Sequence, residues 1–267
     1  MKVRTLGIGL AIAVAGCVTS PLGRSQLMLV GDAEMDKMGV EAFEQIKKET
    51  PVSSDSSTNT YVNCVANAIT AAIDPRKYPK AAGPWEVRVF KDDTANAFAL
   101  PGRKIGVHTG LLKVAKNQDQ IATVIGHEVG HVLANHGAER VSDQFATQIA
   151  AQGAGVLLGA VTSPATQGIA MAALGVGAQG VVLKFSRTQE SEADMLGLDL
   201  MAEAGFNPRE SIGLWQNMAA ASQGQPPEFL STHPSHETRI SDLQRRIPQD
   251  LPVAEQAHKR GRNPRCS

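Results

Sequence analysis

One helix-length run constrains this chain more than any other feature. Residues 118–136 read Gln-Asp-Gln-Ile-Ala-Thr-Val-Ile-Gly-His-Glu-Val-Gly-His-Val-Leu-Ala-Asn-His. Ile121, Val124, Ile125, Val132 and Leu133 recur at helical spacing and predict a helix with one apolar face. His127 and His131 are four apart, so they stand one turn apart on the same side. Glu128 follows the first of them. H-E-x-x-H is the arrangement in which two imidazoles bind Zn²⁺ and the Glu serves as general base. Two ligands from one rigid helix fix the ion, and the adjacent Glu projects towards the water that the ion activates. The competing reading is a helix whose two His are satisfied by hydrogen bonds.

A catalytic zinc site needs a third protein ligand and an open fourth position. The candidate lies in Ser186-Arg187-Thr188-Gln189-Glu190-Ser191-Glu192-Ala193-Asp194. Helical phasing puts Glu190 and Asp194 on one face while Glu192 points elsewhere. Ligating imidazoles usually give their other N–H to a carboxylate. Glu190 as ligand and Asp194 as that carboxylate fill both needs, with His127 the expected partner of Asp194. A solvated acidic face is the alternative.

Composition narrows the rest. The chain has 267 residues, with 26 Lys+Arg against 26 Asp+Glu. A balanced charge removes the basic face that nucleic-acid binding requires. At 42% hydrophobic and 19% charged the chain is globular, one large domain or two small ones. No phosphate loop, serine-nucleophile motif or internal repeat offers a rival chemistry.

The N-terminus carries Lys2 and Arg4, an apolar stretch from Leu6 to Ala15, then Gly16-Cys17. This fits a secretory signal over residues 1–16, too short to span a bilayer, which takes about 20 residues. Val14-Ala15-Gly16-Cys17 resembles a bacterial lipobox, in which the Cys becomes the lipidated first residue. An ordinary signal peptide with an incidental Cys is the other reading. Val18 after the Cys leans towards the outer membrane. The expected place is therefore the bacterial envelope, lipid-anchored through Cys17 and facing the periplasm. There a Cys64–Cys266 disulfide is allowed, and spacing leaves it open.

Four stretches in order resemble the HtpX and CAAX-prenyl-protease family of zinc peptidases. They are the HEVGH helix and Glu190-Ser-Glu-Ala-Asp194; the run from Asn96-Ala97-Phe98-Ala99-Leu100-Pro101-Gly102 to Thr109-Gly110-Leu111-Leu112; and Ser231-Thr232-His233-Pro234 with Arg239. The lipobox makes the chain most similar to the periplasmic lipoprotein branch, the BepA and LoiP type. The resemblance implies an α+β, mainly helical, zincin-like domain over residues 59–250, with a small sheet beside the metal helix. It implies Glu190 as third ligand and one Zn²⁺ per chain. It also implies an edge strand at Asn96, Ala97, Phe98 and Ala99 that pairs with extended substrate; simple packing and turn chemistry is the other reading of Asn96 and Phe98. Substrates would be misfolded or unassembled envelope proteins, and partners the outer-membrane assembly machinery. His233 is read three ways: a donor to the oxyanion, a group that occupies the open metal position, or a helix cap. Arg239 holds a site carboxylate. The function that follows is a zinc-dependent endopeptidase; the alternative is an assembly factor or chaperone whose zinc site is idle or self-inhibited.

The remaining chain reads as an anchor, linker and helix over 17–58, the helix itself at 32–49. A helix follows from Tyr61 to Ile73, then a strand at Trp85–Val89 and a turn at Pro101-Gly102. Residues 146–183, rich in Ala and Gly, are either a membrane hairpin or two small-residue helices that lie as a lid on the domain. Pro208 to Ile247 reads as helix, loop (Gln223–Pro227), helix, with Ile212, Trp215 and Met218 in the core. His136 is expected to support the site, and His108 and His236 to lie at the surface. Residues 251–267 form a basic, mobile tail.

Overall fold

The computed structural model describes residues 16–152, 184–221, 228–233 and 238–267. The signal segment up to Ala15, most of 146–183, the Gln223–Pro227 loop and His236 lie outside the described residues. In chain order the elements are β1 (Gly16–Thr19), β2 (Ser25–Met28), α1 (Asp32–Glu49), α2 (Ser56–Ala71), β3 (Glu86–Phe90), β4 (Ala97–Leu100) and β5 (Lys104–His108). Then come α3 (Leu111–Val114), α4 (Gln118–Leu133), α5 (His136–Gln152), α6 (Arg187–Ala204), α7 (Glu210–Ala221), α8 (Glu228–Thr232) and α9 (Arg239–Lys259). The architecture is α+β and mainly helical, with a small sheet beside the metal helix. Among the described residues no helix is long and apolar enough to cross a membrane.

α4 is the centre. Asn117 caps it by accepting from the Gln120 amide, and both its apolar face and its two His are buried. α6 starts at a capping box between Ser186 and Gln189 and stops at Gly205, whose φ of 87° suits glycine. These helices cross where side chains are missing. A Cβ on Gly130 would come 2.7 Å from the Ala193 carbonyl oxygen, and one on Gly126 2.9 Å from that of Gly197. The glycines flanking His127 and His131 thus let the Glu190 helix approach within ligand reach.

The three-stranded sheet runs β3-β5-β4, with β5 parallel to β3 and antiparallel to β4. Val87 and Val89 alternate with the exposed Arg88 and join Ile105, Val107, Val65, Ile69, Ile121 and Ile125 in the main core. That order leaves β4 at the edge. Phe43 of α1 packs with Phe90 and Leu100 at this end of the sheet. The segment expected as an anchor and linker is more ordered than that: Gly16–Thr19 and Ser25–Met28 pair as an antiparallel hairpin.

The C-terminus differs from the sequence reading. The last helix does not stop at Ile247 but passes through Pro248 and Pro252 to Lys259. Each proline removes an amide donor, yet the buried stripe Leu243, Ile247, Ala254 and Ala257 holds the helix in place. Nor is the tail loose. Gln118 donates to the Pro264 carbonyl (3.0 Å) and accepts from the Cys266 amide (2.8 Å). Cys266 is joined to Cys64 of α2 by a disulfide with a Cα–Cα distance of 5.6 Å.

Asp250 is the one acid on the buried side of α9, facing Arg246 and Asp199. Burial raises its carboxyl, Arg246 opposes this and the Asp199 carboxylate adds to it, leaving it at about 7. Unfolded, an Asp titrates near 3.9. The folded state holds this proton more tightly, so its contribution to stability is complete below about pH 4 and is lost as pH rises towards 7. Asp250→Asn should therefore flatten the loss of stability between pH 4.5 and 7.5 in urea unfolding; an unchanged slope would refute the assignment.

Candidate metal centre

Three elements bring four side chains to one point. α4 supplies His127 and His131, the first turn of α6 supplies Glu190, and the residue after α8 is His233. One donor atom from each lies within 4.8 Å of the others, and all four residues are buried. His127 Nε2 is 3.1 Å from His131 Nε2 and 3.2 Å from His233 Nδ1. The Glu190 oxygens lie 3.5 Å from each Nε2 and 2.9 Å from His233 Nδ1. This cluster has the composition and spacing to hold a metal ion.

Asp194, one turn beyond Glu190, meets His127 Nδ1 at 2.9 Å. Arg239, at the start of α9, donates to Glu190 Oε2 (2.9 Å) and Asp194 Oδ1 (2.7 Å). Its guanidinium lies 3.5 Å over the Trp215 ring, so Trp215, expected as core, also seats this cation. Burial raises Glu190 and Asp194, but the imidazoles around Glu190, and Arg239 with His127 beside Asp194, outweigh it and hold both low. Burial and Arg239 lower His127, yet Asp194 and Glu190 carry it up to about 9. The field at this point attracts positive charge.

Glu128 borders that cluster. It is buried, its Oε1 has no hydrogen-bond partner, and burial raises its pKa. His233 and His127, and to a smaller extent the Ala99 backbone on β4, partly offset that rise. His233 Nε2 is 3.4 Å from Glu128 Oε1. Glu128, His131 and His233 line a cavity of about 600 Å³ together with Asn96, Ala97, Phe98 and Ala99. The edge strand and the metal cluster thus face one space, with Ala97 itself buried.

Three features were not legible as site residues. Phe185 stacks on His131 with ring centroids 3.9 Å apart. His108, expected at the surface, is buried at the end of β5, with Nδ1 2.8 Å from Thr94 Oγ1, and lines the cavity. Glu192, which points away from the metal as phasing requires, is also buried and meets His136 Nε2 at 3.1 Å. His136 Nδ1 in turn lies 2.8 Å from His131 Nδ1. His136 is thereby placed as a support, five residues after His131, while nothing local in the sequence flags Glu192.

The sequence model of peptidase family M48 matches residues 56–247. The chain is 33% identical over 218 residues to the mitochondrial metalloendopeptidase OMA1 of Schizosaccharomyces pombe, covering 80% of this chain and 61% of that protein. To the Danio rerio metalloendopeptidase OMA1 it is 34% identical over 246 residues, 87% of this chain and 50% of that one. It is 28% identical over 227 residues to the beta-barrel assembly-enhancing protease of Escherichia coli K12, 83% of this chain and 45% of that protein. The chain thus spans about half the length of the relatives it matches. Family-wide sequence agreement across the segment that carries all four cluster residues leads to one assignment: the chain belongs to peptidase family M48.

Proposed function

We propose that the protein is a zinc-dependent endopeptidase of the bacterial envelope. One observation carries this: the donors of His127, His131 and Glu190 converge beside Glu128, on a cavity bordered by an edge strand. Two donors on a tetrahedral zinc, each at about 2.0–2.2 Å, stand roughly 3.3 Å apart, and the separations here are 3.1 and 3.5 Å. The donor set fits one Zn²⁺ per chain. Bound there, zinc would act as a Lewis acid on the scissile carbonyl and make water nucleophilic at neutral pH.

The chain's own residues do the rest. An extended peptide adds to β4 along Asn96–Ala99 by main-chain hydrogen bonds. Glu128 takes the proton of the attacking water and delivers it to the leaving amine; its buried Oε1 accepts no hydrogen bond and lies 3.4 Å from His233 Nε2. Asp194 orients His127, and Arg239 locks Asp194 and Glu190 together. His233 Nε2, on the cavity side, donates to the oxyanion.

A second reading of His233 has its own support, since Nδ1 lies inside the donor cluster, 2.9 Å from Glu190. There it occupies the open position and keeps the enzyme closed, and the protein acts as an assembly factor or chaperone with low activity. The lipobox favours a lipid anchor at Cys17 in the outer membrane, in the branch typified by BepA. Substrates are then unassembled envelope proteins, and the outer-membrane assembly machinery is the partner. The test is metal content and casein cleavage of the purified chain before and after a zinc chelator. One zinc per chain, with cleavage lost on chelation and restored by zinc, is expected. Cleavage that survives removal of the metal would overturn the proposal.

A further inference from the structure

The two histidines of the metal helix are supported differently. His127 meets its carboxylate directly, and an arginine holds that carboxylate. On its Nδ1 side, His131 reaches a carboxylate only through a second imidazole, His136, and then Glu192. An arginine ends this path as well. It is Arg24, from the turn of the β1–β2 hairpin, whose Nε donates to Glu192 Oε2 at 3.3 Å. The Leu22 amide donates to the other Glu192 oxygen at 3.2 Å. The fork of Arg24 grips Glu139 of α5, and Gln26 of β2 donates to Glu139 (3.0 Å) and to the Ala134 carbonyl (2.8 Å). This hairpin lies before residue 56, where the match to the family model begins.

The protons on this path follow from the donor set. With Nε2 of His131 turned to the cluster, its Nδ1 carries the hydrogen and donates to His136 Nδ1. His136 must then carry its own hydrogen on Nε2, donated to the Glu192 carboxylate. The other tautomer of His136 would set two N–H groups against each other across 2.8 Å. The negative charge of Glu192 selects the productive form, and Arg24 keeps that carboxylate in place.

We propose that the N-terminal hairpin is a working part of the metal centre, with Arg24 a positioning residue that fixes the His131–His136–Glu192 arrangement. This rests on the zinc reading of the cluster. Loss of an outer partner of a metal-ligating His typically costs about 10–100-fold in metal affinity.

The test uses the full chain in detergent, with zinc affinity measured by chelator competition and the visible spectrum recorded for the cobalt-substituted protein. Arg24→Gln should weaken zinc binding by about 10–100-fold and shift the cobalt bands. Arg24→Lys, which keeps a cation beside Glu192, should recover part of the loss. Glu192→Gln should match Arg24→Gln, and the double variant should add little, because both lie on one path. Gln26→Ala loosens the hairpin but leaves Arg24 on Glu192, and should cost clearly less affinity than Arg24→Gln. Parental affinity and spectrum in Arg24→Gln would overturn the proposal while leaving the zinc site standing. An equal loss in Gln26→Ala would reduce Arg24 to simple docking and overturn it too. Absence of stoichiometric zinc in the parent would instead remove the reading beneath it.

Discussion

Glu128→Gln is expected to lower peptide cleavage by roughly 10²–10⁴-fold, the usual share of a general base, while zinc content stays at that of the parent. The chemistry of the change is narrow. Gln has the size of Glu but takes no proton from water. Burial already raises the Glu128 carboxyl and leaves Oε1 without a hydrogen bond. An uncharged amide there avoids burying a charge, so the melting temperature should hold or rise. Casein cleavage, zinc analysis and a thermal melt on both proteins decide it. Full activity in the variant would take the base role from Glu128. Equal zinc with no cleavage in either protein would favour the closed, His233-occupied form.

The largest effect on stability should come from the link between α2 and the C-terminal tail. Cys64 and Cys266 are 202 positions apart, and a cross-link closing so long a loop removes much freedom from the unfolded chain. The chain-entropy relation gives about 5 kcal/mol for it, and removal of native disulfides usually costs about 2–5 kcal/mol. For a domain of this size each kcal/mol moves the melting point by about 2–4 °C. Cys64→Ser with Cys266→Ser should therefore melt roughly 5–15 °C below the parent. Reductant should lower the parent towards the same value and leave the double variant unmoved. Cys17→Ser is the control, since Cys17 is exposed and free. A double variant that melts with the parent would show that the bridge contributes nothing.

Local patterns in the chain reached the centre but not its supports. His127, Glu128 and His131 sit within one turn and a half of helix, and Glu190 and Asp194 within another, so periodicity alone groups them. The two short strands were legible because Pro101-Gly102 breaks two apolar runs; the edge position of the first came with the family resemblance. The rest depends on partners far apart in sequence. Arg24 meets Glu139 and Glu192 across 115 and 168 residues, and no spacing rule links such pairs. His108 looked exposed because its neighbours Gly106 and Thr109 carry no pattern, whereas β5 lies between two strands and is covered. The last helix was cut at Pro248 because local propensity argues against proline inside a helix; packing on α6 overrode it. The basic tail read as solvated because a disulfide partner 202 positions away leaves no local trace.

Cys17 lies within the first strand, beside Val18, which pairs with Gln26. A lipid chain attached there would leave the enzyme with no leash. Flexible tethers of 20 residues give their cargo a reach of about 25 Å; here the acyl group would join the folded body itself. The cleft would then keep a fixed height and tilt above the bilayer. Encounters would become largely two-dimensional, set by lateral diffusion of whatever lies stalled in the same leaflet. Chains free in the compartment would be met only when they touch that surface. Selectivity would arise from altitude as much as from sequence.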